Sequence, residues 1–130
     1  MTQLAYGDTS ALAKLVLGEP GSPELIRWHV ESERIVTSRV GIVEMRRVAA
    51  RHAHDAAHLE FVLGSVETFE LDASTAHLAA AVGPATLRTL DAIHLATALQ
   101  LMPDLDAFVT YDVRLADAAR ALGLPVVRPA

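Results

Sequence analysis

Short β-type runs and helical patterns take turns along this chain, and that alternation limits the fold more than any other feature. Leu4–Gly7 reads as a first strand. Thr9 to about Leu17 reads as a helix with apolar positions at Leu12, Leu15 and Val16. Arg34–Thr37, rich in β-branched residues, reads as a second strand, Val66–Leu71 as a third, Ala107–Thr110 as a fourth and Pro125–Val127 as a fifth. Helical stretches separate all of them. Parallel neighbours need a crossover between them, and a helix is the usual crossover. The pattern therefore predicts an α/β fold: a mainly parallel sheet of about five short strands with helices on both faces.

Punctuation sharpens the boundaries. Gly18-Glu19-Pro20-Gly21 breaks the chain, and Ser22-Pro23 is expected to open a helix with Ser22 as N-cap and proline at the first position. That helix carries Leu25, Ile26 and Trp28 toward about Ser32. Ser38 is expected to cap a long helix to about His52, with His54 to about Leu63 as its antiparallel partner. Glu67 and Glu70 alternate with apolar neighbours in the third strand, which suggests a sheet edge. Asp72 or Ser74 caps a helix through Ala81, and Gly83-Pro84 interrupts it. Leu87 to Leu101 is a strongly periodic helix, with Pro103 just beyond it. Val113–Leu122 is the last helix, with Gly123 at C′.

The 130 residues suit one domain, expected to span 1–130, with enough apolar content (52%) for a real core. The absence of cysteine excludes disulfides and thiolate chemistry and fits a reducing, cytoplasmic setting. No basic-then-apolar leader and no apolar run near 20 residues is visible, so neither secretion nor a membrane location is expected. A net charge of -5 weighs against nucleic-acid binding unless the acids are gathered in one cation-binding pocket.

Four acids invite that last reading. Asp8 closes an apolar strand, and Glu44 lies in the apolar segment Val40–Met45. Asp91 sits between Leu90 and Ala92-Ile93, and Asp112 follows Phe108–Tyr111. A buried carboxylate must shift its pKa, pair with a cation or bind a metal. In open α/β sheets ligands bind beyond the carboxyl ends of the strands, where strand order reverses. Asp8, Glu44 and Asp112 suit that edge directly; Asp91 depends on how its helix is aimed. Gathered there, the four would suit a hard divalent ion. Taken singly, each reads first as an ordinary cap or surface charge, Asp112 above all as N-cap of the last helix.

The flanking residues carry a resemblance. Asp8-Thr9-Ser10-Ala11-Leu12 follows the first strand, Leu90-Asp91-Ala92-Ile93-His94-Leu95-Ala96-Thr97-Ala98 lies on a late helix, and Thr110-Tyr111-Asp112-Val113-Arg114-Leu115 follows the fourth strand. In order and spacing these resemble the PIN domain, specifically the VapC-type toxins of bacterial type II toxin–antitoxin systems, over essentially the whole chain. Glu44 matches the family's acid after the second strand. The resemblance implies a PIN-like three-layer sandwich and a Mg²⁺- or Mn²⁺-dependent endoribonuclease that cuts tRNA or rRNA loops. It implies an acidic metal pocket of Asp8, Glu44, Asp91 and Asp112, with Thr110 orienting a water or a carboxylate. It also implies a homodimer silenced by a cognate antitoxin. Two features depart from the pattern: Gly7 stands where a bulky apolar residue is common, and Asp117 is an additional acid expected to face solvent.

Other residues admit competing readings. His94, one turn after Asp91, could serve as a general acid–base or, the favoured reading, as a hydrogen-bonded structural group. His52, His54 and His58 span a helix junction and lack a fourth partner for zinc. Arg46, Arg47 and Arg51 suit either RNA phosphate or a solvated face. Trp28 with Leu25 suits core or a partner interface better than base stacking. Two rival functions remain. A phosphoacceptor receiver would need adjacent acids after the first strand and a late lysine, whereas the only lysine is Lys14. A catalytically silent PIN-fold module would bind RNA or protein without cutting.

Overall fold

A computed structural model describes residues 3–129. Five strands form one parallel sheet: β1 (Leu4–Gly7), β2 (Arg34–Ser38), β3 (Glu67–Phe69), β4 (Ala107–Val109) and β5 (Val126–Val127), in the order β3-β2-β1-β4-β5. Seven helices connect them: α1 (Thr9–Leu17), α2 (Ser22–Glu31), α3 (Arg39–Ala50), α4 (Ala56–Gly64), α5 (Ala73–Ala79), α6 (Thr89–Leu99) and α7 (Val113–Ala121).

β1 is central, and all four of its residues are buried. That is why it reads as an unbroken apolar run rather than an alternating one. The pleat divides the apolar residues between two cores. Ala5, Ile35, Ala107 and Val109 face Leu12, Leu15, Leu25, Met45 and Leu59 from α1–α4. Leu4, Tyr6, Val36 and Phe108 face Leu95 and Ala98 of α6 and Leu115 and Ala119 of α7. Tyr6 and Phe108 are register partners, and their rings stack 5.4 Å apart. This is the expected three-layer α/β arrangement.

Several boundaries differ from the sequence expectation, each for a local reason. Ser22 does not cap α2. Its hydroxyl donates to the Lys14 carbonyl, and Gly21, in the left-handed region at φ 89°, takes the N-cap place without a side-chain bond. β3 covers Glu67–Phe69 rather than Val66–Leu71, because its partner β2 ends at Ser38, opposite Phe69. Its place at the sheet edge is as expected. α6 begins at Thr89, not Leu87, whose amide is taken up in a turn onto the Pro84 carbonyl, and it ends at Leu99. α3 ends at Ala50, and α4 starts at Ala56 with Asp55 as cap. Thr110 lies one residue beyond β4, and β5 starts at Val126. Among the described residues, no helix is long and apolar enough to cross a membrane.

Candidate active site

Strand order reverses between β1 and β4, so the segments leaving their carboxyl ends diverge and open a crevice. Asp8 leaves β1 there, and Thr110 and Asp112 leave β4. Glu44 comes from α3 and Asp91 from the first turn of α6. All four acids line one cavity of about 220 Å³, together with Thr9, Ser10, Arg88 and His94. A larger hollow of about 520 Å³ between α5 and α6 is mainly apolar and holds no carboxylate.

Asp8 is almost fully buried. One oxygen accepts from the Ser10 hydroxyl (2.6 Å) and caps α1 through the Ala11 amide (3.0 Å). The other accepts from the Thr110 hydroxyl (2.6 Å). Burial raises its pKa. The Ser10, Thr110 and Ala11 hydrogen bonds oppose that rise, and the nearby Asp112 adds to it. Thr110 also accepts from the Asp112 amide (3.1 Å), tying the two acidic segments together. Ser10 accepts from the Tyr111 amide (2.8 Å), which fixes the same junction from the other side.

Asp112 caps the last helix, as its sequence context allowed, and also lines the cavity. One oxygen caps α7 through the Leu115 amide (3.0 Å), and the other faces the Arg88 guanidinium (3.2 Å). Arg88 also reaches Asp91 (3.4 Å) and so bridges two of the four acids. Asp91 is mostly buried, and burial raises its pKa, with Arg88 pulling it back down. Glu44 is half-buried and accepts from the Thr9 hydroxyl.

The other sequence candidates separate cleanly. His94 is buried between Tyr6 and Thr9, in the hydrogen-bonded role favoured above. His52, His54 and His58 each bond a backbone carbonyl, of Val48, His52 and Leu15 respectively. Arg46 pairs with Glu60 and is committed elsewhere, and Arg51 lies just past the end of α3 rather than on it. Leu25 is core, and Trp28 packs against it partly buried. Asp117 is exposed beside Arg120. Gly7 is harmless, since a Cβ there would meet only Ala11 at an ordinary 3.7 Å. Sequence reasoning missed Arg88, Thr9, Ser10 and Tyr6. Thr9 and Ser10 stood in the Asp8 motif without an assigned role, Arg88 lies three residues before Asp91, and Tyr6 two before Asp8.

Among the described residues, no three Asp, Glu or His side chains converge on one point as ready-made ligands. The donor chemistry still suits a hard cation. All four side chains offer oxygen, and Mg²⁺ typically takes one or two carboxylates and keeps its waters. Asp8, with three hydrogen bonds already made, retains one free lone pair on the oxygen facing Thr110.

The PIN domain family model matches residues 5–121. Ribonuclease VapC47 of Mycobacterium tuberculosis is 41% identical, with 97% of each chain covered. Among solved structures, VapC20 of Mycobacterium tuberculosis, a sarcin–ricin-loop-cleaving toxin, superimposes with a TM-score of 0.73. That match covers 96% of this chain and 99% of VapC20 at 19% identity, a likeness of fold alone. VapBC2 from Rickettsia felis, solved bound to a DNA fragment from its promoter, gives a TM-score of 0.69 over 98% of this chain and 100% of that one, at 11% identity. The whole-chain identity to a VapC ribonuclease and the family match together show that the protein belongs to the PIN domain family, among its VapC ribonucleases.

Proposed function

We propose that this chain is a Mg²⁺- or Mn²⁺-dependent endoribonuclease toxin. It would hydrolyse phosphodiester bonds in exposed loops of tRNA or rRNA and be neutralised by a cognate antitoxin. The observation that carries this reading is the meeting of Asp8, Glu44, Asp91 and Asp112 in one cavity at the switch point of the sheet. Membership among VapC ribonucleases supports it. In this reading one domain over residues 1–130 would supply the whole site, and a cellular RNA substrate would put its action in the cytoplasm.

Asp8, Asp91, Glu44 and Asp112 would hold the divalent ion. When bound, such an ion supplies Lewis acidity toward the phosphate and lowers the pKa of an attacking water. Thr110 and Ser10 hold Asp8 in a single orientation through hydroxyl donors on opposite oxygens. Arg88 offsets part of the charge of Asp91 and Asp112, and its largely exposed side chain could exchange those contacts for an incoming phosphate. Unpaired loop bases are accessible to such a shallow crevice in a way that bases of an A-form duplex are not.

The test is incubation of the purified protein with total RNA in Mg²⁺, Mn²⁺ or EDTA, beside Asp8→Asn and Asp91→Asn. Cleavage by the wild type alone, abolished by EDTA, is expected. Intact RNA in every lane, with folded protein by circular dichroism, sinks the nuclease reading.

A further inference from the structure

The acids of the crevice are held by different means. Asp8 has three donors and Asp91 and Asp112 share Arg88, whereas Glu44 has a single hydroxyl, that of Thr9. What stands behind that hydroxyl decides how firmly Glu44 is placed. Thr9 Oγ1 lies 3.3 Å from His94 Nε2, and His94 Nδ1 lies 2.6 Å from the Tyr6 hydroxyl.

The direction of these bonds follows from proton counting. A carboxylate only accepts, and a threonine hydroxyl has one proton. That proton goes to Glu44, so toward His94 the Thr9 oxygen must accept. Nε2 of His94 then carries the ring proton. Burial keeps the ring neutral, with its pKa lowered to about 4, so Nδ1 is a bare acceptor and Tyr6 is the donor. All three bonds run one way, from Tyr6 through His94 and Thr9 to Glu44.

The surroundings prevent the ring from turning. His94 is 2% exposed, and its ring meets that of Tyr6 edge-on at 5.7 Å. Tyr6 is itself clamped against Phe108. On the opposite side Gly41 of α3 approaches so closely that a Cβ there would stand 2.8 Å from His94 Cε1. The four groups come from β1, α6, α1 and α3, so the chain of bonds spans the crevice floor.

We infer that Tyr6, His94 and Thr9 form a positioning relay that holds the Glu44 carboxylate in one orientation for cation and water. His94 and Thr9 are thus positioning residues, neither ligands nor proton donors to the substrate. The inference rests on the ribonuclease reading for its consequence, though its geometry is independent of it. Outer partners that orient a metal-binding side chain typically change affinity or activity by about 10- to 100-fold when removed.

Thr9→Val keeps the shape and deletes the hydroxyl; Thr9→Ser keeps the hydroxyl. Thr9→Val should weaken Mn²⁺ binding, titrated calorimetrically without RNA, by about tenfold. It should lower kcat on an RNA oligonucleotide by a similar factor and leave KM nearly unchanged. Thr9→Ser recovers most of both, and Tyr6→Phe shows a smaller loss in the same direction. In a Glu44→Gln background Thr9→Val should add nothing, whereas in Asp91→Asn its effect on Mn²⁺ binding should persist. A full Thr9→Val loss in the Glu44→Gln background overturns the relay. Long-range ¹H–¹⁵N correlations give a second, activity-free readout: an Nε2–H tautomer for His94 is expected, and an Nδ1–H tautomer overturns the inference. If the tautomer is as expected but the wild type cuts no RNA, the ribonuclease reading alone has failed.

Discussion

Replacing Gly41 by alanine sets two physical effects of opposite sign against each other. Gly41 is the third residue of α3, and alanine in a helix interior is favoured over glycine by ~1 kcal/mol. The new Cβ, however, would stand 2.8 Å from His94 Cε1 and 3.1 Å from Thr37 Oγ1, well inside the usual carbon contact distance of about 3.5–4.0 Å. Neither neighbour has room to yield. His94 is fixed by Tyr6 and Thr9, and the Thr37 hydroxyl donates to the Gly7 carbonyl at 2.8 Å. Overpacking of this kind costs typically ~1–3 kcal/mol, so the net expectation is a loss of ~1 kcal/mol. That corresponds to a fall of roughly 3–6 °C in Tm for a chain of this size. Gly64, in the last turn of α4, is the control, since a Cβ there meets nothing within 4 Å. Gly64→Ala should gain up to ~1 kcal/mol from the same propensity difference. Urea titrations at pH 7 without metal compare the two. Stabilisation by both substitutions would refute the argument that α3 and α6 are in unyielding contact at Gly41.

Acid should expose the buried histidine. His94 titrates near 4 in the fold against its ordinary 6.5, so the native state binds fewer protons there than the unfolded chain. Its contribution is intact above about pH 6.5 and is lost as pH falls toward 4, by ~3 kcal/mol in all. Asp8 and Asp91, raised by burial, pull the opposite way, so the informative quantity is the difference between wild type and His94→Gln. That difference should shrink by ~3 kcal/mol between pH 7 and pH 4 in urea midpoints; parallel curves would contradict a neutral buried ring. Arg88→Gln removes the cation that competes for Asp91 and Asp112. Calorimetric Mn²⁺ affinity should rise roughly two- to fivefold, as expected for loss of an exposed ion pair, and unchanged affinity would mean that Arg88 does not compete.

Much of the architecture could be read locally. The unbroken apolar run Leu4–Gly7, the periodic positions Leu12, Leu15 and Val16, and the capping acids Asp8, Asp72 and Asp112 each report on one turn or one strand. Periodicity and cap chemistry act over a few residues, so a sequence displays them directly. The misplaced ends followed from partners further away, as where β3 stops because β2 runs out. Asp112 shows the same divide within one side chain. Its capping oxygen was legible from the helix that follows, and its second oxygen, turned to Arg88, was not.

The sequence by itself determined the α/β class, the parallel sheet, and the four acids with the motifs around them. Only the tertiary structure decided the strand order β3-β2-β1-β4-β5, the aim of the α6 helix that brings Asp91 into the crevice, and the partner of each carboxylate. Tyr6 and His94 lie 88 residues apart and Thr9 and Glu44 lie 35 apart. No local pattern encodes such pairs, because they exist only once β1 is central in the sheet and α3 and α6 close together over its carboxyl end. Gly41 is the residue that permits this approach, by leaving the space that His94 occupies.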